Sequence, residues 1–252
     1  MASADDIFCG LLRLADDHLI LGQRVSEWCG HAPQLEEDLA LSNIALDLIG
    51  SARALYQLAG ETEGKGRDED QLAFLRDERA YLNLLLAEYP NSDFAHTILR
   101  QYYFSSFQLL YWQAALASAL PELAAIAAKS VKEAAYHHRH AADWVIRLGD
   151  GTEESHQRML AAEANLGPYL GEMFERDALA GRLAEAAILP DPAELQAAFT
   201  ADRAAILARA TLPVAEITAS QTGGRSGRHT EAMGHLLAEL QYMQHRFPGQ
   251  QW

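Results

Sequence analysis

The residues best suited to metal or acid–base chemistry lie close together in the segment Glu133-Ala-Ala-Tyr-His-His-Arg-His140. In di-iron helical bundles a Glu-x-x-His pair places a carboxylate and an imidazole one helical turn apart, so both side chains face the interior. Here the third residue after Glu133 is Tyr136, and His137 follows it. At roughly 100° per residue, His137 lies only about 40° around the helix from Glu133 and could share its face. The segment is therefore either a working metal site or the remains of one.

A complete di-iron site draws ligands from four helices, about six in all. Reading the other long helices against this template gives Glu27 on the first, Asp47 with Gly50 on the second, and Gln108 on the third. Glycine cannot ligate a metal, and a neutral glutamine is a much poorer iron ligand than a carboxylate. We therefore predict no catalytic residue, no cofactor and no bound metal, only a degenerate site at Glu27, Asp47, Gly50, Gln108, Glu133, Tyr136 and His137.

A second interpretation of the same helix stays open. Glu133, His137 and His140 follow an i, i+4, i+7 spacing, so they could hold a metal in a self-sufficient di-iron oxygenase or another metal-binding protein. If no metal binds there, Glu133 needs another partner, because a lone buried carboxylate is costly. His137, Arg53 and Arg147 are the candidate partners.

A glycine-rich loop offers a third interpretation. The segment Gly223-Gly-Arg-Ser-Gly-Arg-His229 places Arg225 and Arg228 just before a predicted helix, where they could hold a phosphate group. The loop matches neither the P-loop nor the dinucleotide fingerprint, so a mobile loop or a protein contact is favoured. A serine hydrolase is disfavoured because the chain has no Gly-x-Ser-x-Gly elbow.

Composition and charge narrow the class of protein and of partner. Among the 252 residues, 35 are acidic and 20 are basic, which gives a formal net charge of -15. Abundant Ala and Leu, with no convincing alternation of apolar and polar residues, indicate an all-α protein. The negative charge argues against nucleic acid and anionic membranes as partners, because both attract basic patches. It would suit a basic protein partner.

Cysteine usage and the first residues indicate a compartment. Cys9 and Cys29 have no Cys or His at zinc-finger spacing, and we interpret them as free thiols in a reducing environment. The start of the sequence lacks the basic and apolar regions of a signal peptide, and no uninterrupted apolar run reaches about 18 residues. We expect a cytoplasmic protein that does not span a membrane.

Helical periodicity and capping signals outline the fold. Four long helices, with shorter peripheral helices outside them, predict a ferritin-like bundle in a single domain over 1–252, with 211–252 as a C-terminal loop and helix packed on it. A polar, glycine-rich loop is predicted at 60–70 and an irregular connection at 211–227. The predicted helices cover about 6–29, 33–59, 71–88, 94–119, 122–148, a segment from Thr152, 191–210 and 229–246.

Five blocks of sequence carry a resemblance to a known family. They are Leu21–His31, Glu36–Gly50, Gly66–Arg76, Asp143–His156 and Gly223–Trp252. Together they resemble the C subunit of the bacterial phenylacetyl-CoA 1,2-epoxidase, and they span nearly the whole chain.

The resemblance implies a structural subunit in aerobic phenylacetate degradation. In that family the di-iron centre lies in a homologous A subunit, which epoxidises the ring of phenylacetyl-CoA with dioxygen and electrons from a reductase. The C subunit lacks a complete ligand set and pairs with the A subunit, in a complex that also contains a small B subunit. We expect a heterodimer that doubles into a dimer of heterodimers. If the loop with Arg225 and Arg228 binds phosphate, the resemblance makes CoA its ligand.

Overall fold

Every regular element in the computed structural model is helical across the described residues, 2–217 and 220–250. The all-α, ferritin-like class is therefore confirmed, with α1, α2, α5 and α6 as its four long helices. Short 3-10 helices lie at Glu78–Ala80, Gly167–Phe174 and Gly224–Ser226. The α-helices are α1 (Ala4–Ser26), α2 (Leu35–Glu63), α3 (Glu69–Phe74), α4 (Leu85–Glu88), α5 (Phe94–Ala115), α6 (Pro121–Gly149), α7 (Glu153–Leu166), α8 (Ala178–Glu185), α9 (Pro192–Arg209), α10 (Glu231–Leu240) and α11 (Tyr242–Arg246).

The described residues divide into two compact units. The first joins residues 2–90, with α1 to α4, to residues 223–250, with α10 and α11. The second contains α5 to α9 within residues 91–222. A single domain over 1–252 stays a prediction. The predicted C-terminal segment 211–252 is split between the units, since its part from residue 223 onward packs with α1 to α4.

The first unit is built on the helical hairpin of α1 and α2. The Ser3 hydroxyl accepts a hydrogen bond from the Asp6 amide, and Asp6 accepts one from the Ser3 amide, so a capping box starts α1. The two helices approach closely at Gly22, where a Cβ atom would lie 3.0 Å from Cγ1 of Ile49. The helix ends at Ser26, short of the predicted residue 29.

The predicted loop at 60–70 begins too early, because α2 continues to Glu63. Gly64 ends the helix in the left-handed conformation, at φ 68°. Gly60 does not break the helix. It lets the following chain pass close by, since a Cβ atom there would lie 2.3 Å from the Arg67 carbonyl oxygen.

The prediction of one helix over 71–88 is wrong. That segment contains the last four residues of α3, a 3-10 turn and the four-residue α4. Between them, the Leu82 amide donates to Asp16 at 2.7 Å and the Leu84 amide donates to Asp17 at 2.7 Å. The two carboxylates on α1 accept hydrogen bonds from amides that would donate to backbone carbonyls in a continuous helix, so the chain stays extended here.

The second unit follows its local capping signals closely. Asp93 caps α5, Thr152 forms a capping box for α7, and Asp191 caps α9. Pro121 occupies the first turn of α6, where its missing amide hydrogen costs no helical hydrogen bond. The third predicted long helix ends at Ala115 and not at residue 119, because the Ala119 amide leaves the helix to donate to the Ala187 carbonyl.

The C-terminal segment forms two helices where one was predicted over 229–246. The break follows α10 at Gln241, whose side-chain amide donates to the Arg76 carbonyl and to the Tyr81 hydroxyl. The predicted irregular connection at 211–227 has only the turn Gly224–Ser226 as regular structure in its described part. Thr218 and Ala219, and the last two residues of the tail, lie outside the described residues. No described helix is both long and apolar enough to cross a bilayer.

Candidate functional site

In the first unit, the residues predicted to stand at ligand positions do not form a buried set. Glu27 lies just after the last residue of α1, exposed, and Arg24 donates to it at 2.8 Å. Glu27 is therefore a surface residue and not an interior ligand. Asp47 and Gly50 are half-buried on α2. The interior carboxylates of α1 are instead Asp16 and Asp17, both 0% exposed.

In the second unit, the predicted positions have different surroundings from one another. Gln108 is buried on α5, and its amide has no hydrogen-bond partner among the described residues. Lys129 pairs with Glu133 at 3.1 Å. Tyr136 is 42% exposed, whereas His137 is buried, and the Tyr136 ring stacks on His140.

The candidate arginine partners of Glu133 have other contacts. Arg53 donates to Glu69 at 3.0 Å. The guanidinium of Arg147 lies over the Trp144 ring, 5.4 Å from its centre. Lys129, one turn before Glu133, was not among the predicted partners. This i, i+4 ion pair joins an exposed lysine to a half-buried glutamate.

These donors do not fit a di-iron centre. Such a centre needs carboxylates and imidazoles that converge on two metal ions. Here Gly50 offers no donor, Gln108 offers a neutral amide, and Tyr136 points to the surface. The part of the chain that the structure describes contains no group of three or more His, Cys, Asp or Glu residues placed to hold a metal ion. The absence of iron from this chain stays a prediction.

Sequence reasoning missed a buried network around Asp16. The Tyr56 hydroxyl donates to its carboxylate at 2.5 Å, and Arg76 forms a salt bridge with it. Burial, and next the charge of Asp16, raise the pKa of Tyr56 well above its ordinary value. Burial lowers the pKa of Arg76, but Asp16 and Tyr56 outweigh it and the net shift is upward. The phenol of Tyr56 therefore stays protonated and the guanidinium of Arg76 stays charged near neutral pH.

The neighbouring Asp17 holds the glycine-rich loop. Arg225 donates to its two carboxylate oxygens at 3.0 and 2.8 Å and also to the Leu82 and Arg13 carbonyls. Burial raises the pKa of Asp17 to about 6, although Arg225 and the Leu84 amide act to lower it. Arg225 is thus committed to a buried carboxylate and does not face a phosphate.

The glycines of this loop are required by close packing. A Cβ atom on Gly224 would lie 2.1 Å from the Asn83 carbonyl oxygen, and one on Gly227 would lie 2.1 Å from the Arg79 carbonyl oxygen. Gly227 also adopts φ 72°. The loop is therefore a structural contact within the first unit, and Arg228 is its exposed arginine.

A second link joins the C-terminal segment to α4. The side chains of His229 and Glu88 are both 0% exposed, and the His229 Nδ1 lies 2.9 Å from Glu88 Oε2. Its Nε2 lies 3.0 Å from the Tyr81 carbonyl oxygen. Both ring nitrogens therefore face acceptors, which is the arrangement of an imidazolium. Burial lowers the pKa of His229, but the Glu88 hydrogen bond and charge outweigh it and the net pKa is raised.

The second unit has its own paired clusters. Tyr103 donates to Glu163, which also forms a buried salt bridge with Arg203. Asp202 accepts hydrogen bonds from Tyr102 and Ser106 at 2.8 Å, and His138 lies 2.9 Å away. Ser106 and His138 both point at the carboxylate and not at each other, so they do not form a nucleophilic triad.

Two comparisons with known proteins cover nearly the whole chain. The family described as phenylacetic acid catabolic protein matches residues 2–252. The chain is also 49% identical over 241 residues to the C subunit of the 1,2-phenylacetyl-CoA epoxidase of Escherichia coli (strain K12). That alignment covers 96% of this chain and 97% of the relative. The resemblance carried by the five sequence blocks is confirmed.

Proposed function

This chain belongs to the phenylacetic acid catabolic protein family, and on that premise we propose that it is the C subunit of a phenylacetyl-CoA epoxidase. In this proposal it has no active site of its own. It pairs with a homologous catalytic A subunit and supports that subunit while it epoxidises the aromatic ring with dioxygen. The complex also includes a small B subunit and a reductase, and it works in the cytoplasm.

The observation that carries the proposal is the mismatch between the donor set and a di-iron centre. Of the predicted ligand positions, one is a glycine, one a glutamine and one an exposed tyrosine, and Glu27 is a surface residue. The di-iron centre is accordingly assigned to the A subunit. This supports a structural role because a subunit without suitable ligands cannot activate dioxygen at its own site.

The buried networks support the same role. Four buried acids are paired with an arginine or a histidine far away in the sequence: Asp16, Asp17 and Glu88 in the first unit and Glu163 in the second. Paired buried charges fix one arrangement of the chain, because breaking either partner leaves an uncompensated charge. We infer that these links hold the helices rigid, so that the chain presents an unchanging surface to its partner.

Iron content per chain is the first test. The protein is purified alone and after co-expression with the A subunit, and both samples are analysed for iron and for ring epoxidation of phenylacetyl-CoA. We expect an iron-free protein alone and about two irons per heterodimer, as one di-iron site requires. One or two irons in the isolated chain would overturn the proposal.

A variant separates a structural chain from a self-sufficient enzyme. The triple substitution Glu133→Gln, His137→Gln and His140→Gln removes the stripe that could ligate a metal. We expect the complex that contains this variant to keep its iron and its epoxidation rate. Loss of iron in proportion to the variant chain would favour the alternative enzyme.

A further inference from the structure

Helix α2 exposes three leucines to solvent. Leu35 is 73% exposed, Leu39 is 58% exposed and Leu46 is 66% exposed, and they are among the most exposed large apolar side chains that the structure describes. Single exposed leucines are common on protein surfaces, whereas several on one helix face form an apolar patch of the kind found at binding surfaces. The face therefore has the character of an unfilled interface.

The opposite face of α2 already has its partner. Leu41, Ile44, Leu48 and Leu55 are buried, and α2 packs on α1. At the helical period, these residues lie roughly opposite the exposed leucines. A helix that packs on one side only is polar on its other side. Because α2 is apolar on both sides, its outer side is suited to a second packing partner.

The spacing on the outer side indicates what kind of partner fits. Leu35, Leu39, Ser42 and Leu46 follow one another at intervals of four, three and four residues, which is the period of a coiled-coil seam. We call this row of four positions the α2 seam. It extends over about 17 Å of helix, or about three turns of a facing helix. Ser42 is half-buried. Ile49, three residues after the seam, packs towards Gly22 of α1 and lies outside it.

The charges along α2 disfavour a second copy of this chain as the occupant. Glu36 is exposed beside the start of the seam, and Arg53, which lies beyond its other end, is already paired with Glu69 at 3.0 Å. Two copies, each with a net charge of -15, would bring acids together without a compensating cation. A helix from a different chain, with basic residues opposite Glu36, would be complementary.

We propose that the α2 seam docks an apolar-faced helix of the catalytic A subunit, with basic residues of that helix opposite the first turn of α2. This inference rests on the proposed function, because it takes the A subunit as the partner. It adds the surface and the packing mode. The leucines of the seam insert between side chains of the facing helix, as knobs insert into holes.

The test compares charge insertions at the seam with a matched substitution elsewhere. The double variant Leu39→Glu and Leu46→Glu changes only exposed side chains, and so does the control Leu75→Glu, at a leucine that is 53% exposed outside α2. Binding to the purified A subunit is measured by calorimetry, and folding is checked by circular dichroism. We expect the double variant to bind at least about 30-fold more weakly than the control.

A second measurement does not depend on the variants. Hydrogen exchange of the wild-type chain is compared with and without the A subunit. Burial of the seam predicts slower exchange of α2 amides over 35–46 in the complex, while α10 on the same unit serves as an internal reference.

The outcomes separate this inference from the proposed function. If the wild type binds the A subunit and the double variant binds equally well, the seam is not the docking surface, although the proposed function stands. If the wild type shows no binding to the A subunit, both fail. If the wild type self-associates and the double variant does not, the seam joins two copies and the inferred occupant is wrong.

Discussion

Replacing His229 by glutamine is the sharpest test of how the C-terminal segment is held. The change removes the imidazolium but keeps a neutral side-chain amide that can still donate hydrogen bonds. Glu88, its partner, is left fully buried. The Thr230 amide still donates to Glu88 at 2.6 Å, and the Asn83 side chain still donates at 3.2 Å. The carboxylate therefore loses its counter-charge but not all its hydrogen bonds.

The expected loss follows from that partial compensation. Removing one member of a buried ion pair lowers the free energy of unfolding by about 3–5 kcal/mol. Because the Thr230 amide and the Asn83 side chain still donate to Glu88, we expect a loss at the lower end of this range, about 3 kcal/mol. For a chain of this length, each kcal/mol lowers the melting temperature by about 2–4 °C. We expect the His229→Gln variant to melt about 6–12 °C below the wild type at pH 6.

The pH dependence gives the same pair a second signature. The pKa of His229 in the folded protein is raised above the ordinary value of 6.5. The stabilisation by the imidazolium is fully present below pH 6.5 and is lost as the pH rises through the raised pKa. The wild type should therefore lose stability toward pH 9, while the variant lacks this dependence and the difference between them shrinks.

Thermal unfolding followed by circular dichroism at pH 6 and at pH 9 measures both effects. The control is His245→Gln, the same substitution at a histidine of α11 outside the buried pairs. It should melt within about 1 °C of the wild type, as surface substitutions do. A His229→Gln variant that melts with the control at pH 6, or a difference that stays constant up to pH 9, would refute the reasoning.

Three further predictions test other contacts. Gly224→Ala places a Cβ atom 2.1 Å from a carbonyl oxygen and should lower the free energy of unfolding, measured in urea, by about 1–3 kcal/mol. In the control Gly167→Ala, the new Cβ atom has nothing within 4 Å, and the free energy of unfolding should hardly change. Equal losses in the two variants would contradict the close packing of Gly224. Burial raises the pKa of Asp202, but its hydrogen bonds with His138 and other residues outweigh burial, so the pKa lies below the ordinary value of 3.8. Asp202→Asn should therefore lower the free energy of unfolding by about 1–2 kcal/mol at pH 7. That difference should vanish as the pH falls below 3.8, and a constant difference would count against it. A maleimide should label the exposed Cys29 before the half-buried Cys9, whose pKa burial raises, and equal labelling rates would oppose this assignment.

The elements that the sequence predicted well are those whose signals are local. Asp93, Thr152 and Asp191 cap helices through amides two or three residues away, so their role can be read from neighbouring residues alone. The inability of some predicted positions to bind a metal ion can also be judged locally, from the residue type. Gly50 and Gln108 are unsuitable ligands wherever they lie, because the side-chain type alone decides it.

The location of those positions needed the fold. The sequence placed Glu27 inside a helix, but α1 ends one residue earlier and Glu27 pairs with Arg24 at the surface. One sequence signal was overlooked. Asp16 and Asp17 stand in a mostly apolar stretch of α1, which indicates buried acids that require partners.

The partners themselves could not have been predicted. Asp16 pairs with Arg76, 60 residues later, and Asp17 pairs with Arg225, 208 residues later, although other arginines lie nearer along the chain. The sequence by itself determined the helical class, the helix starts and the unsuitability of the ligand positions, because these depend on residue type and on neighbours within one turn. Only the tertiary structure decided which charges pair and why 75–84 is not part of an α-helix. Buried charges pair with residues that are near in space, and distance along the chain does not reveal which residues those are.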